Sequence, residues 1–314
     1  MQRGGKLVIT SLPVVAILAA FPYFGGTSQL NFLISIFMYI ALVQSWSILA
    51  YSGYISLGVT AFFGLGAYTM GQLWSIAPLP LIPLIGGLVA FLMALIVSSP
   101  LLRVTGTYFT VLTYGLTLLI QSIILVIETR YSQVGTAKII VLGYMTETVY
   151  YVMMVLALCS TFVYYFVTSS RFGRALFAIR ENEEAAESLG VNTFRYKLGA
   201  FLLSSFIPGV VGSVMAIQIA WIDPFTAFQP IVSFQTVVVG LLGGFGPIGL
   251  LLATILFSTL QQVLWTSYPF YHSLLLGVIL LFMLSYRAGL LPLGLASIVR
   301  RHIWEGLPRR LTRG

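Results

Sequence analysis

Residues able to perform acid–base, metal or covalent chemistry are few in this sequence, and they form no recognisable catalytic set. The 314 residues include eight Asp and Glu, two His and one Cys. Cys159 stands alone in an apolar run, and His272 and His302 lack the spacing of metal ligands. No glycine loop ending in Gly-Lys-Ser or Gly-Lys-Thr is present, so we do not expect ATP hydrolysis by this chain. The sequence predicts no catalytic residue, no metal site and no enzyme activity.

The charged residues do cluster in one stretch, from Ser169 to Lys197. It holds nine of the 24 charged residues of the chain. Each Arg, Lys or Asp costs about 2.5 to 3.5 kcal/mol at the centre of a membrane-spanning helix, so nine charges predict a segment that lies in water.

Local signals within this stretch predict a short helix. Asn182 is a favoured N-cap residue, Glu183 and Glu184 follow in the first turn, where carboxylates oppose the helix dipole, and Gly190 is typical of a helix end. The seven residues between Asn182 and Gly190 make only about 10 Å of helix, which is too short to be stable alone. We therefore expect this helix to dock on something.

The half of the stretch from Arg171 to Ile179 places a small apolar face at helical spacing, formed by Phe172, Ala175, Leu176 and Ile179. A small apolar face with an Arg-rich and Lys-rich fringe, including Lys197, suits contact with a soluble partner. Charge pattern alone favours the simpler interpretation of a solvated loop.

Composition places the rest of the chain in a membrane. Apolar residues make up 59% of the chain and charged residues 8%, and the mean hydropathy is +0.99, so the chain is predicted to be a polytopic membrane protein. The net charge of +8 is explained by cytoplasmic loops near anionic lipid. No basic stretch interleaved with aromatic residues lies outside the apolar segments, so we do not expect nucleic-acid binding.

The apolar segments predict about ten transmembrane helices in one all-α domain over residues 1–314. They are 7–24, 31–50, 54–74, 83–102, 108–127, 148–168, 198–221, two short spans within 231–265 joined at a glycine-rich turn, and 271–286. One long span with a re-entrant piece is the alternative for 231–265. A signal peptide is the alternative for the first segment, which lacks a clear cleavage site. Ten spans put the N-terminus, the charged stretch 169–197 and the basic tail 287–314 on the cytoplasmic side.

The carboxylates are predicted to lie outside the apolar segments, with Glu128 and Glu147 bounding an outer connector. A proton- or sodium-coupled carrier would be expected to bury ionisable groups at membrane depth, because their cost is accepted there only for function. We therefore expect the energy for any transport to come from another polypeptide, with a secondary carrier as the rival class.

The charged stretch resembles a known motif. Glu184-Ala185-Ala186, followed after three residues by Gly190, resembles the EAA-x-x-x-G signature of permeases of ATP-binding-cassette (ABC) importers, which engages the ATPase. Residues 173–201 resemble the high-affinity branched-chain amino-acid importer permeases, of the second and longer type. Three further blocks are similar to that family: 56–69, 105–115 and 237–249. The resemblance implies an ATPase-coupling set comprising Arg180, Glu181, Asn182, Glu183, Glu184, Ala185, Ala186, Leu189 and Gly190.

The resemblance also implies a fold and partners. It suggests the ten-helix importer fold, with a cytoplasmic coupling helix between the sixth and seventh spans. The implied partners are a second permease subunit forming a heterodimer, two cytoplasmic ABC ATPase subunits that hold ATP and Mg, a periplasmic solute-binding protein and the lipid bilayer. This chain itself would carry no cofactor. It would be a multi-pass protein of the bacterial inner membrane with both termini cytoplasmic.

The implied function is import of branched-chain or related amino acids, with urea, amides or small organic acids, including aromatic ones, as alternatives. Many members have Gln and His where this chain has Tyr54 and Val59, which points away from the usual specificity. A translocation path is predicted along Ser56, Phe62, Phe63, Tyr68, Thr107, Tyr108, Gln235, Gly243 and Gly244. The alternative is that these residues only pack helices together.

Overall fold

The computed structural model describes residues 16–131, 138–139, 146–219, 221–268, 271, 274, 277 and 278. The described chain is almost entirely helical. The helices are α1 (Thr27–Ala50), α2 (Val59–Leu73), α3 (Ile82–Leu101), α4 (Gly106–Tyr131), α5 (Thr146–Ser169), α6 (Arg171–Glu181), α7 (Glu183–Ser188), α8 (Thr193–Ile219), α9 (Pro224–Ala227), α10 (Pro230–Gly243) and α11 (Pro247–Ser267). Two short strands, β1 (Lys138–Ile139) and β2 (Trp221–Ile222), complete it, with 3₁₀ turns at Phe21–Tyr23 and Leu79–Leu81.

Within the described residues, seven helical stretches are long and apolar enough to cross a membrane, counting α9 and α10 as one. The prediction of an all-α polytopic membrane protein is confirmed. Most of the first and last predicted spans, 7–24 and 271–286, lies outside the described residues. Contacts divide the chain into residues 1–258 and a smaller unit, 259–314. The assignment of one transmembrane domain to the whole chain stays a prediction.

The third predicted span, 54–74, is shorter than predicted. Its helix, α2, has 15 residues and is about 22 Å long, less than the hydrocarbon thickness of about 30 Å. The preceding link is not helical because Gly53 has a φ of +89° and side chains bind the backbone there. The Trp46 indole donates to the Ser56 carbonyl over 2.9 Å, and the Leu57 amide donates to the Thr113 hydroxyl over 3.0 Å. We call residues 51–58 the α1–α2 link.

The glycine-rich turn within 231–265 separates two helices, as predicted. Helix α10 ends at Gly243, Gly244 has a φ of +73°, and α11 starts at Pro247. A Cβ atom on Gly243 would lie 2.7 Å from the Leu250 Cα, so the end of α10 and the start of α11 lie close together at this turn. Whether both helices cross the membrane, or one of them is the re-entrant piece of the alternative, stays a prediction.

Glycines allow the backbones of α2, α3 and α8 to touch. A Cβ atom on Gly66 would lie 1.9 Å from the Gly209 carbonyl oxygen, and one on Gly212 would lie 2.0 Å from the Phe63 carbonyl oxygen. The Ser213 hydroxyl donates to the Gly66 carbonyl over 2.8 Å. Close packing, which the glycine spacing in 54–74 predicts, is therefore confirmed for Gly66.

Helix α1 lies at the centre, packed against α5, α8 and α10, whereas α4 exposes most of its surface. The predicted outer connector after α4 contributes β1, which pairs antiparallel with β2 so that Lys138 lies opposite Ile222. Strand β1 precedes α5 and β2 follows α8. The strand pair and the α6–α7 segment therefore lie at opposite ends of these two helices.

Candidate functional site

The charged stretch folds into two short helices at the end of the bundle where α5 ends and α8 begins. Helix α6 starts after Ser170, whose hydroxyl accepts a hydrogen bond from the Gly173 amide. Leu176 and Ile179 of its predicted apolar face are buried, so this half of the face packs on the chain itself and is not open to the soluble partner that the sequence suggested. Phe172 and Ala175 are half-buried.

Helix α7 has the two predicted boundaries. The Asn182 side chain accepts a hydrogen bond from the Ala185 amide over 3.0 Å. At the other end Gly190 has a φ of +85°. Its amide donates to the Glu187 carbonyl over 2.8 Å, and the Val191 amide donates to the Ala186 carbonyl over 3.1 Å. These are the two bonds of a Schellman ending, so both the cap and the stop are confirmed.

A buried ion pair fastens α7 to the bundle. The Lys197 ammonium lies 2.5 Å from one oxygen of Glu183 and donates to the Tyr54 hydroxyl over 3.0 Å. The Tyr54 hydroxyl donates to the other oxygen of Glu183 over 3.2 Å. Lys197 is only 4% exposed, so its prediction as part of a solvated fringe is wrong. Its ammonium is tolerated in the interior because it has both a counter-charge and hydrogen-bond acceptors.

The phenol of Tyr54 acts as a donor to the carboxylate in this cluster. Burial raises the pKa of Tyr54 above its ordinary value of 10.0, more than the neighbouring Lys197 lowers it. The hydroxyl therefore keeps its proton at neutral pH. We call Tyr54, Glu183 and Lys197 the inner cluster.

Arg180 attaches the end of α6 to two other segments. Its guanidinium carbon lies 4.0 Å from the centre of the Phe245 ring, in the turn between α10 and α11. Its side chain also packs against the backbone of Gly53 in the α1–α2 link. The Phe245 carbonyl accepts a hydrogen bond from the Tyr164 hydroxyl over 2.7 Å. The link, the charged segment and the glycine-rich turn thus meet at one end of the bundle.

The outward side of the segment is open. Leu189 is 85% exposed. Of the nine predicted coupling residues, Ala186 is buried and Glu183 is half-buried. The other seven are exposed: Arg180, Glu181, Asn182, Glu184, Ala185, Leu189 and Gly190.

A family model described as "Branched-chain amino acid transport system / permease component" matches residues 28–284. The chain belongs to this permease family. The resemblance read from the sequence motifs is thereby confirmed. No group of three or more His, Cys, Asp or Glu in the described part of this permease could hold a metal ion.

Curated relatives agree with the family. The permease is 26% identical to LivM, a high-affinity branched-chain amino acid transport system permease protein of Salmonella typhimurium, over 92% of this chain and 75% of the relative. It is 27% identical to LivM of Escherichia coli over the same shares. A nucleoside ABC transporter permease protein, NupC of Lactococcus lactis, is 32% identical over 30% of each chain. No solved structure matches.

The predicted path residues of this permease divide into a buried group and an exposed one. Five are buried in the helix bundle: Ser56, Phe62, Phe63, Tyr68 and Gln235. Thr107 and Tyr108 are exposed at the start of α4, Tyr108 by 77%, so the structure does not bring them into the buried group. Gly243 and Gly244 are half-buried at the turn beside Phe245. The assignment of all nine residues to a translocation path stays a prediction.

Buried polar residues also line the helices around the buried path residues. Gln235 accepts a hydrogen bond from the Tyr39 hydroxyl, and the hydroxyls of Thr60 and Ser233 lie 2.7 Å apart. Gln44 is 1% exposed. Neither atom of its amide group has a hydrogen-bond partner among the described residues.

One buried carboxylate escaped the sequence analysis. Glu128 was predicted to bound an outer connector, but α4 continues to Tyr131 and Glu128 is buried within it. One of its oxygens lies 3.4 Å from the Tyr68 hydroxyl. The prediction that Glu128 lies in a polar connector outside the helix is therefore wrong. Its position eight residues after the buried Ile120 places it on the same helix face, which is the signal that could have found it.

Proposed function

We propose that this permease is the membrane-spanning subunit of an ABC importer and forms the path for branched-chain or related amino acids. A separate ATPase docks on the exposed side of the α6–α7 segment and supplies the energy. The observation that carries this proposal is the segment itself. It is folded and capped at both ends, it is fastened to the bundle on one side, and it leaves Leu189 and Glu184 exposed on the other.

The proposed topology has ten crossings in the bacterial inner membrane, with both termini and the coupling helix on the cytoplasmic side. The order of the described helices supports it, because α1 to α5 and α8, α10 and α11 follow the second to ninth predicted spans. The positions of β1 and β2, at the other end of α5 and α8, suit a periplasmic location.

The proposed complex contains a second permease subunit, two ATPase subunits that hold ATP and Mg, and a periplasmic solute-binding protein. The exposed sides of α3 and α4 suit lipid or the second permease, since both carry rows of large apolar side chains. Nothing in the segment requires a cofactor of its own. The role of the segment is mechanical, because a displacement of α7 moves the helix ends that α7 contacts.

Branched-chain amino acids remain the first choice of solute. The presence of Tyr54, where many members have Gln, no longer argues against them, because its hydroxyl binds Glu183 and Lys197 at the end of the bundle. Val59 is buried in an apolar cluster with Trp46 and Phe63. Urea, amides and small organic acids are the alternatives that the transport test must include.

The test is uptake into proteoliposomes that contain this permease with the second permease, the ATPase and the binding protein encoded beside it. We expect radiolabelled leucine to accumulate only with ATP, and to do so after a protonophore has collapsed the proton gradient. Uptake that needs the gradient and not the ATPase would identify a secondary carrier. Uptake of benzoate or urea in place of leucine would change the solute and leave the mechanism intact.

Docking is tested separately by the affinity of the detergent-solubilised permease for the purified ATPase. Leu189→Glu should weaken binding about tenfold or more, because docking would bury the new carboxylate without a partner, and a tenfold loss needs only about 1.4 kcal/mol. Phe225→Glu is the matched control, since Phe225 is 64% exposed near β2, at the other end of the bundle. Equal affinity of both variants and the unaltered permease would exclude Leu189 from the docking surface.

A further inference from the structure

The inner cluster joins three elements that are distant in the sequence. Glu183 lies in the first turn of α7, Tyr54 in the α1–α2 link and Lys197 in α8. Both carboxylate oxygens and the phenol hydroxyl are used within the cluster, and the Lys197 ammonium also lies 5.0 Å from the centre of the Tyr54 ring. A closed network of this kind fixes the relative positions of its members better than a single bond would.

A row of aromatic rings continues from Tyr54 into the bundle. The Tyr54 ring meets Phe109 of α4 edge-on at 5.1 Å, and Phe109 approaches Phe201 of α8 at 6.5 Å. Phe201 in turn meets Phe62 of α2 at 5.7 Å. All three phenylalanines are buried. Phe62 is one of the predicted path residues, so the row connects the inner cluster to the region of the predicted path.

Packed interiors pass on displacements because they contain little free space. A movement of α7 that is carried by the Glu183 carboxylate must move the Tyr54 hydroxyl or break the cluster. The Tyr54 ring is held against Phe109, so its displacement reaches α4, α8 and α2 together. By contrast, Leu189 and Glu184 face outward and can receive a push but cannot pass it to the bundle directly.

On the basis of the proposed function, we propose that Tyr54 and Lys197 are positioning residues of the transport cycle. They clamp Glu183 so that α7 and the α1–α2 link move as one body, and the row Phe109, Phe201 and Phe62 carries this movement toward the solute path. Glu183 thus acts on the inner side of the coupling segment, whereas docking uses the outer side.

A positioning role of the inner cluster differs from a purely structural role in one measurable way. Removing Glu183 alone leaves the buried Lys197 ammonium without its carboxylate. Removing Lys197 alone leaves a carboxylate whose side chain is 31% exposed, so Glu183→Gln should lower Tm more than Lys197→Met. Replacing both partners of a buried pair is often neutral for stability. The double variant should therefore regain stability without regaining coupling.

The experiment measures the amount of leucine transported per ATP hydrolysed by the reconstituted complex, together with its Tm. Coupling between sites typically corresponds to factors of about 5 to 150. We expect the double variant Glu183→Gln/Lys197→Met to keep a Tm near that of the unaltered complex and to lose about fivefold or more of its leucine-to-ATP ratio. ATPase affinity should stay unchanged, because docking uses the other side of the segment.

Tyr54→Phe is the second variant, and it removes no charge. It keeps the ring contact with Phe109 and loses both hydrogen bonds of the hydroxyl, so the leucine-to-ATP ratio should fall about two- to tenfold. Tyr51→Phe is its matched control, because Tyr51 lies in the same link and its ring contacts Phe177 and Phe245. We expect Tyr51→Phe to preserve the ratio.

An unchanged leucine-to-ATP ratio in Tyr54→Phe would overturn the inference, even if the double variant failed to assemble. A ratio that recovers together with Tm in the double variant would also overturn it, since the cluster would then only stabilise the fold. Absence of ATP-driven uptake in the unaltered complex would instead overturn the proposed function, and this inference with it. A lower ratio at normal Tm and normal ATPase affinity supports the clamp.

Discussion

The contact between α2 and α8 at Gly66 gives the most direct test of the packing. In Gly66→Ala the new Cβ atom would lie 1.9 Å from the Gly209 carbonyl oxygen, whereas Cβ atoms essentially never approach another atom closer than 3.0 Å. The two backbones must therefore separate by at least 1.1 Å, the difference between these distances. No flexible side chain can give way instead, because the nearest three atoms all belong to the Gly209 backbone.

The cost of this separation can be bounded. Overpacking a core typically costs about 1 to 3 kcal/mol. The Ser213 hydrogen bond to the Gly66 carbonyl, 2.8 Å long, is also lost or lengthened, at about 0.5 to 1.5 kcal/mol. At about 2 to 4 °C per kcal/mol for a chain of this order of size, we expect the Tm to fall by about 3 to 18 °C.

The assay is the fraction of monodisperse permease that remains in detergent after heating, read by size-exclusion chromatography. Gly115→Ala is the matched control, because a Cβ atom on Gly115 would meet nothing within 4 Å. It should leave Tm unchanged or raise it, since alanine favours helix by about 1 kcal/mol over glycine. A Gly66→Ala protein as stable as the Gly115→Ala protein would refute the close approach of α2 and α8.

Three further tests probe the site and the core. Gly190→Val should speed amide hydrogen exchange in α7 about fivefold or more, because only the φ of +85° at this position opposes a side chain. Gly190→Asn should speed the exchange less, since asparagine tolerates a positive φ. Equal exchange rates in the two variants would contradict this explanation. Gln44→Leu should raise Tm, since it removes a buried amide that lacks partners among the described residues; an unchanged Tm would mean that water or solute binds the amide. A thermodynamic cycle of Arg180→Gln and Phe245→Leu should show a coupling of about 0.5 to 1 kcal/mol in unfolding, and strictly additive losses would exclude the contact.

The α6–α7 segment could be predicted well from the sequence because its signals are local. Asn182 and Gly190 act within one or two turns, and the structure has both the cap and the Schellman ending where they were expected. The turn at Gly243 and Gly244 could likewise be predicted from the sequence. Such features depend on backbone conformations that few residue types allow, so residue identity is nearly sufficient to place them.

The residues that these segments contact could not be predicted, because the contacts join residues that are distant in the sequence. Nothing near Lys197 in the sequence indicates that its ammonium meets Tyr54, which is 143 positions away. Glu128 was misplaced because the end of α4 was set four residues too early, and helix ends are the least certain part of a periodicity argument. The shortening of α2 depends on one hydrogen bond that Trp46 donates and another that Thr113 accepts, which a hydropathy window cannot register.

The expectation that α7 needs something to dock on has an answer that the sequence could not supply. The short helix is supported by its own chain, through the buried Ala186 and through Glu183 bound to Lys197, so it does not need the ATPase in order to fold. The adjacent glutamates Glu183 and Glu184 therefore differ in position and in role. Glu183 is turned inward and holds α7 to the bundle, while Glu184 is exposed and remains available to a partner. In the proposed docking, a helix that is already formed loses little further entropy, so more of the energy of the proposed ATP-driven movement is left to displace the α1–α2 link.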